Sequence, residues 1–157
     1  MSRRRKSVKR KINPDSKYNS LLVAKFINFV MQQGKKNVAE SIVYNAFDLI
    51  KAKGKQEDPL DAFTEAVKAV EPKIEVKSRR VGGATYQVPV DVEEGRAKVL
   101  AIRWILDSVS RRKERTASER LFSEVMDILA GRGNSLKTRE NTHKMAEANR
   151  AFAHYKW

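Results

Sequence analysis

The sequence predicts a mainly α-helical protein with six helices and one two-stranded antiparallel β-hairpin, inserted between helices three and four. Two patterns support this prediction. Apolar residues recur at helical spacing in six segments, several of them bounded by capping residues, whereas the period changes to two near residue 73. The chain has 157 residues, of which 41% are hydrophobic, and this length favours one domain with one core.

Helix one is predicted from about Ser20, a possible N-cap, to Gln33, with Gly34 at the left-handed position after its end. A polar stripe of Lys25, Asn28 and Gln32 defines its outer side. The residues expected to face the core are Leu22, Phe26, Phe29 and Val30.

Helix two is predicted from about Val38 to Ala52, after a capping-box-like pair of Asn37 and Glu40. Helix three is predicted to begin at Asp58-Pro59 and to end before Pro72. The residues expected to be buried in these two helices are Val38, Ile42, Val43, Ala46, Phe47, Leu49, Ile50, Ala62, Phe63, Ala66, Val67 and Val70.

The hairpin is predicted at about residues 73–91. Ile74 and Val76 alternate with charged residues such as Glu75, and Gly82-Gly83 is a signal for a two-residue turn. Pro89 is compatible with a strand that has a free edge. Because an isolated hairpin is marginally stable in water, this one either docks on the helices at its base or orders its tip on a ligand.

Helix four is predicted from near Glu93 to about Arg112 and is expected to be the most buried helix. Helix five follows the capping box Thr116–Glu119 and runs to about Ala130. Helix six runs from about Ser135 through Ala148 and towards the C-terminus. Its expected apolar stripe is Met145, Ala148, Phe152 and Tyr155, and its expected polar face carries Arg139, His143, Arg150 and His154.

The composition excludes several classes of protein. The chain has no cysteine, which excludes a disulfide framework and cysteine-ligated zinc. No apolar run reaches 18 residues, so no transmembrane helix is expected. The basic N-terminus is followed by polar residues 13–16 rather than by an apolar segment, which argues against a signal peptide. We therefore expect a soluble, intracellular protein.

The charge predicts a polyanionic partner, with nucleic acid as the first candidate. The chain has 33 basic and 19 acidic side chains, a net charge of +14. The excess is concentrated in residues 1–36, 73–90 and 111–157. Residues 1–12 are interpreted as a basic flexible arm and residues 13–157 as one helical domain. The arm either binds nucleic acid or is a solubilising or targeting tail.

The other basic positions also admit two interpretations. Lys77, Arg79 and Arg80 on the hairpin bind nucleic acid, or they protect an exposed strand edge from aggregation. Lys25, Lys35 and Lys36 extend the binding surface, or they form an ordinary solvated face. Among the aromatic residues, Tyr86 is expected to pack at the hairpin base, with base stacking as the minor alternative. Stacking on a base is also conceivable for Tyr155 and Trp157.

Neither an enzyme nor a metal or cofactor site is predicted. His143 and Glu147 have the spacing of two metal ligands on a helix but lack a third. The acidic pairs Asp58/Asp61 and Glu93/Glu94 lie at predicted helix starts, where a negative charge is stabilising. The alternative of a metal-dependent nuclease would need clustered carboxylates that this pattern does not supply.

Three segments carry a family resemblance: GKKNVAESIVYNAF at 34–47, VKSRRVGGATYQVPV at 76–90 and MAEANRAFAHYKW at 145–157. They resemble the bacterial-type small-subunit ribosomal protein seven family, and the resemblance covers essentially the whole chain. It implies a six-helix bundle with a β-ribbon between helices three and four. It also implies a structural, cytoplasmic component of the ribosome that binds small-subunit rRNA in the head region and organises head assembly.

The resemblance further implies partners and contact residues. The protein would lie next to the exit-site tRNA and the mRNA path, beside small-subunit ribosomal protein eleven and other head proteins, with no membrane. The residues expected to contact rRNA are Arg3, Arg4, Arg5, Lys6, Lys9, Arg10, Lys11, Lys25, Lys35, Lys36, Lys77, Arg79, Arg80, Arg96 and Arg103. Those expected near tRNA and mRNA are Gly82, Gly83, His143, Lys144, Asn149 and Arg150.

One departure from the family pattern concerns the start of helix four, which is often more basic in relatives. Glu93 and Glu94 here would repel phosphate, so the contact patch formed by Arg96, Lys98 and Arg103 is expected to be smaller. The alternative function is a general RNA- or DNA-binding, chaperone-like protein without a specific site.

Overall fold

A computed structural model describes residues 11–54 and 58–155 and confirms the mainly α-helical fold with a hairpin between the third and fourth helices. The elements in these ranges are α1 (Leu21–Val30), α2 (Lys36–Lys53), α3 (Pro59–Val70), β1 (Ile74–Val81), β2 (Ala84–Asp91), α4 (Glu94–Arg111), α5 (Ala117–Leu129) and α6 (Asn134–Ala148). A 3₁₀ helix (Arg150–Tyr155) continues α6 towards the C-terminus.

The predicted N-terminal arm lies outside the described residues, apart from Lys11 and Ile12, and Trp157 lies outside them as well. The division into an arm and a single domain therefore stays a prediction.

The core is built around aromatic rings from the first three helices. The rings of Phe26 and Phe63 meet edge to face with centroids 4.9 Å apart, and Phe47 lies 5.3 Å from Phe63. Ile102 and Ile105 from α4 are fully buried in the same cluster. Offset and edge-to-face pairs at these distances stabilise beyond the area that they bury.

The starts of α3 and α5 follow the predicted capping residues. The Asp58 carboxylate accepts a hydrogen bond from the Leu60 amide at 2.8 Å, and Thr116 and Glu119 form the expected capping box. One predicted cap is right in position only, and another is wrong. Ser20 occupies the N-cap position of α1 but makes no side-chain cap bond, and α2 begins at Lys36, one residue before Asn37.

The buried face of the first two helices differs from the prediction. Phe29 is 38% exposed and Val38 is 56% exposed, whereas Val23, Ile27 and Ala39 are buried. Leu22 and Val30 are only partly buried. Apolar residues occupy most positions of α1, so their spacing alone does not fix which side faces the core. Val38 lies in the first turn of α2, beside the exposed α1–α2 connection.

Helix α4 is not the most buried helix, contrary to the prediction. Its buried residues are Ala97, Ala101, Ile102, Ile105 and Ser108, whereas Val99, Leu100, Trp104, Leu106 and Val109 are only partly buried. Half of α3 is buried instead, including all five residues predicted for it. Ile102 and Ile105 enter the core beside small residues of α4, and the remaining large apolar side chains of this helix are only partly covered.

The hairpin has the predicted turn. Val81 pairs with Ala84, and Gly82 and Gly83 between them have φ values of 57° and 90°. Positive φ at both central residues is the type I′ geometry that matches the twist of two-stranded ribbons.

The burial at the ribbon base does not follow the polarity of the side chains. Glu75 is buried at 8% exposure, whereas Ile74 is 36% exposed. The face that turns towards the protein therefore carries Glu75, with Val88 fully buried on the partner strand. The reason is an ion pair with α4, described below.

Candidate nucleic-acid interface

The three basic residues of β1 lie on two different faces of the ribbon. Because successive side chains of a strand point to opposite faces, Lys77 and Arg79 share one face and Arg80 lies on the other. Lys77 and Arg79 pair with Val88 and Tyr86, and Arg80 pairs with Thr85 near the tip. Lys77 and Arg80 are exposed, whereas Arg79 is half-buried.

The base of the ribbon is tied to α4 by a carboxylate–guanidinium pair. The Arg96 Nε donates to both carboxylate oxygens of Glu75, at 2.8 and 3.0 Å, and Nη2 donates to Oε2 at 2.8 Å. The Lys77 ammonium lies 3.2 Å from the same carboxylate. The hydrogen bonds from Arg96, together with Lys77, hold the pKa of Glu75 below its ordinary value. Arg96 thus orients the ribbon on the helical body.

The charges at the start of α4 are mostly paired within the protein. Glu94 forms an ion pair with Lys98, one turn along the helix, and this pair lowers the pKa of Glu94 through the hydrogen bond from Lys98. Arg96 is occupied by Glu75 but keeps 52% of its side chain exposed.

Helix α6 lies against the ribbon base through His143. Its Nε2 accepts a hydrogen bond from the Lys73 backbone amide at 3.1 Å. Burial, with the nearby charges of Arg139 and Lys73, lowers the pKa of His143. Arg139 in turn donates to the Ala69 carbonyl at the end of α3. His143 therefore joins α6 to the segment that leads into the ribbon.

A cleft of about 530 Å³ runs between α6 and the ribbon base. Its polar lining contains Lys73, Asp91, His143, Glu147 and Arg150. Of the residues predicted near tRNA and mRNA, this cleft brings together only His143 and Arg150. Lys144 is exposed on α6, and the Asn149 side chain donates to the Met145 carbonyl at 2.8 Å.

The predicted tip residues are remote from that cleft. Gly82 and Gly83 lie at the far end of strands of eight residues, which corresponds to about 25 Å of extended chain. The tip and the α6 cleft are thus two separate ends of one elongated feature.

The C-terminal 3₁₀ helix packs along the ribbon between these two ends. The Tyr86 ring lies 5.2 Å from the Phe152 ring and 5.1 Å from the Tyr155 ring, centroid to centroid. Arg79 Nη1 donates to the Tyr155 carbonyl. Tyr86 pairs with Arg79, three residues from the tip, so its predicted place at the hairpin base is wrong. Phe152 and Tyr155 are half-buried, but Met145 and Ala148 from the predicted apolar stripe are exposed.

Another exposed basic patch lies on α1 and α4. Arg103 lies over the Phe29 ring at 5.9 Å from its centroid, and Lys25 lies one turn before Phe29 on α1, on the same face. Lys35 is exposed before α2 and Lys36 is exposed at its first position, where the Lys36 ammonium lies 3.4 Å from the Glu40 carboxylate. Lys11 is exposed where the described chain begins.

Phe29 belongs to this patch, although the apolar spacing of α1 predicted it in the core. The signal that identifies it is its position four residues after Lys25, on the polar stripe of the helix.

In residues 11–54 and 58–155, no group of three or more His, Asp or Glu side chains has the arrangement of a metal site. The Asp58 carboxylate serves as a helix cap, as predicted. No helix in the same ranges is long and apolar enough to cross a membrane.

Comparison with known proteins gives a consistent result over the whole chain. Residues 2–150 match the family model described as ribosomal protein S7p/S5e. A relative from Francisella tularensis subsp. holarctica, named small ribosomal subunit protein uS7, is 55% identical over 157 residues, which cover all of both chains. A protein of the same name from Caulobacter vibrioides is also 55% identical over the full length of both chains.

Proposed function

Because this chain belongs to the ribosomal protein S7p/S5e family, we propose that it is a structural protein of the small ribosomal subunit that binds rRNA in the subunit head. The observation that carries this proposal is the match to small-subunit proteins of one name along the entire chain. The basic ribbon on a helical body provides the physical means.

The mechanism follows from the way a rigid helical body carries exposed basic side chains. The helical body has a continuous aromatic and aliphatic core, and the ribbon is attached to it at Glu75–Arg96 and at His143. Such a body can hold exposed cations at fixed positions. Folded RNA is recognised mainly through its shape and its phosphates, and cations at fixed positions favour one arrangement of RNA helices over others.

The contacts with rRNA are assigned to cations that are exposed or that lie in the basic arm. In the body these are Lys25, Lys35, Lys36, Lys77, Arg80 and Arg103, and Lys11 is exposed at the end of the arm. The arm residues Arg3 to Arg10 supply further charge. Arg96 contributes chiefly by orienting the ribbon, because Glu75 occupies its guanidinium. No catalytic step is needed for this role.

Contacts with tRNA and mRNA are proposed for the ribbon tip and for the region around α6. The exit-site tRNA and the nearby mRNA would lie against Gly82 and Gly83 and along the surface where Lys144 on α6 and Arg150 at the start of the 3₁₀ helix are exposed. Small-subunit ribosomal protein eleven and other head proteins would be the protein neighbours. In this arrangement the protein would act early, by fixing a junction of the head rRNA during assembly.

Replacing one exposed cation tests the rRNA role of the ribbon. In Arg80→Ala, we expect affinity for a head rRNA fragment to fall and the slope of log affinity against log salt to decrease by about 1, because one phosphate contact is lost. The measurement is a filter-binding or fluorescence titration at several salt concentrations.

Arg132→Ala is the matched control, since Arg132 is 78% exposed on the α5–α6 connection and outside the proposed surface. It removes the same charge and should leave the slope unchanged. Equal slopes for the two variants would rule out a phosphate contact at Arg80.

A further inference from the structure

The ribbon depends on contacts with the rest of the protein for its direction, because it contains only two strands. Two-stranded ribbons are marginally stable on their own. At its base the ribbon is held by Arg96 and by α6, through the contacts at Glu75 and at the Lys73 amide. Beyond the base, the element that packs against it in the described part of the chain is the 3₁₀ helix Arg150–Tyr155.

We propose that this 3₁₀ helix is a brace that fixes the direction of the ribbon, with Tyr86 as the positioning residue and with Arg79 as part of the brace rather than an RNA contact. The brace consists of Arg79 and Tyr86 on the ribbon and Phe152 and Tyr155 on the 3₁₀ helix. Its consequence for RNA binding rests on the proposed function, whereas its consequence for ribbon direction does not.

The aromatic part of the brace is placed between the base and the tip. Tyr86 contacts two rings, those of Phe152 and Tyr155, at interplanar angles of 51° and 35°. Tilted rings at about 5 Å are in the attractive range for aromatic pairs. Since both partners come from one short helix, the ribbon cannot swing away without separating the Tyr86 ring from both of them.

The polar part of the brace gives two neighbouring arginines different roles. Arg79 is half-buried on the face that turns towards the 3₁₀ helix, and it donates to the Tyr155 carbonyl. Arg80 is exposed on the opposite face. A guanidinium that is directed into the protein holds the ribbon, whereas an exposed one is free to meet phosphate. The sequence motif alone makes the two residues look equivalent.

The brace would favour RNA binding because it lowers the conformational entropy that the ribbon loses when it binds. A ribbon that already points in the bound direction loses less conformational freedom when it meets RNA. Removing the brace therefore lowers affinity without changing the number of phosphates that are neutralised. The slope against salt then stays constant, which distinguishes a positioning residue from a contact residue.

The direct test measures the ribbon direction. The chain has no cysteine, so spin labels can be attached at Thr85→Cys near the tip and at Asn45→Cys on α2, both exposed positions. Pulsed electron paramagnetic resonance then gives the distribution of tip-to-body distances. We expect a narrow distribution in the parent protein and in Tyr86→Phe, which keeps the ring. We expect a broad distribution in Tyr86→Ala and in Phe152→Ala.

Unchanged narrow distributions in both alanine variants would overturn the brace. Circular dichroism and thermal unfolding check that the helical body of each variant is intact. Phe152→Ala serves as the second variant because Phe152 lies outside the ribbon, so its replacement leaves the strands themselves unaltered.

The second readout is RNA binding with the unlabelled proteins. Tyr86→Ala should weaken binding to the head rRNA fragment by about tenfold, because the ribbon would then become ordered only when it binds. The salt slope should stay unchanged. Arg79→Ala should broaden the distance distribution in the labelled protein and likewise keep the slope. A slope lowered by about 1 in Arg79→Ala, with a narrow distance distribution, would make Arg79 a phosphate contact and overturn its assignment. If no variant binds the fragment preferentially, the proposed function fails while the distance measurement still decides the brace.

Discussion

His143 shows how one side chain makes the stability of the fold depend on pH. Its Nε2 must carry a lone pair to accept the hydrogen bond from the Lys73 amide. Protonation would remove that acceptor and add a positive charge to a half-buried site that already faces Arg139 and Lys73. The fold therefore favours neutral His143, and its pKa in the folded state is lowered.

The sign of the pH effect follows from this lowered pKa. In the unfolded chain the pKa of a histidine is about 6.5, so below that pH the unfolded state binds more protons at this site than the folded state. The contribution is fully present above pH 6.5 and is lost as the pH falls through the folded-state pKa. In His143→Gln, which does not titrate, we expect a shallower loss of stability on acidification.

The measurement is the free energy of unfolding in urea at a series of pH values from 8 down to 5. The difference between the parent protein and His143→Gln should shrink or change sign as the pH falls. Parallel curves for the two proteins would show that His143 is not the source of the pH dependence.

At the scale of elements, a buried acid joins three helices. The Glu124 side chain on α5 is fully buried, and it accepts hydrogen bonds from Arg112 Nε at 2.8 Å and from the Ser135 amide at 3.1 Å. Arg112, at the end of α4, also donates to Glu114 and Asp127. Burial alone would lower the pKa of Arg112, but its hydrogen bonds to Asp127, Glu124 and Glu114 outweigh burial and raise it.

Glu124→Ala is expected to be strongly destabilising. The change leaves a largely buried guanidinium and the start of α6 without their common acceptor, and breaking a buried ion pair in this way costs about 3–5 kcal/mol. For a chain of this length we expect the melting temperature to fall by roughly 10 °C. The measurement is thermal unfolding followed by circular dichroism.

The matched control for this change is Glu140→Ala on the exposed side of α6. It removes the same group and should shift the melting temperature by no more than about 2 °C. A similarly small shift in Glu124→Ala would mean that Arg112 is satisfied by its other two acceptors.

Elements whose boundaries depend on local chemistry could be predicted from the sequence. Pro59 and Pro72 bracket α3, and Gly82-Gly83 sets the ribbon turn. Burial that depends on a partner from another element could not be predicted. Charged side chains are rarely buried, yet Glu75 and Glu124 are buried because Arg96 and Arg112 reach them from other elements.

The candidate site likewise contains residues that the sequence predicts and contacts that it does not. Exposed cations such as Lys35 and Arg80 are visible in the sequence, because long charged side chains are rarely buried. The contact between Tyr86 and the 3₁₀ helix is not visible, since it joins residues almost 70 positions apart whose apolar pattern fits several arrangements.

At the scale of the whole molecule, the net charge of +14 and the rigid helical body make different contributions. The charge attracts any nucleic acid and weakens with salt. The body and the attached ribbon fix where the charge lies, and this arrangement is what can select one folded RNA over others. Specific binding therefore requires that the protein still prefers the right RNA at salt concentrations where the general electrostatic attraction is weak.

The most direct measurement is binding to a fragment of small-subunit head rRNA across a salt series, with unrelated RNA of equal length as competitor. We expect a preference of roughly 10³ or more for the head fragment at physiological salt, the lower end of the range typical of specific protein–DNA complexes. Equal affinity for both RNAs, with the two falling together as salt rises, would contradict the proposed role and leave only general binding to polyanions.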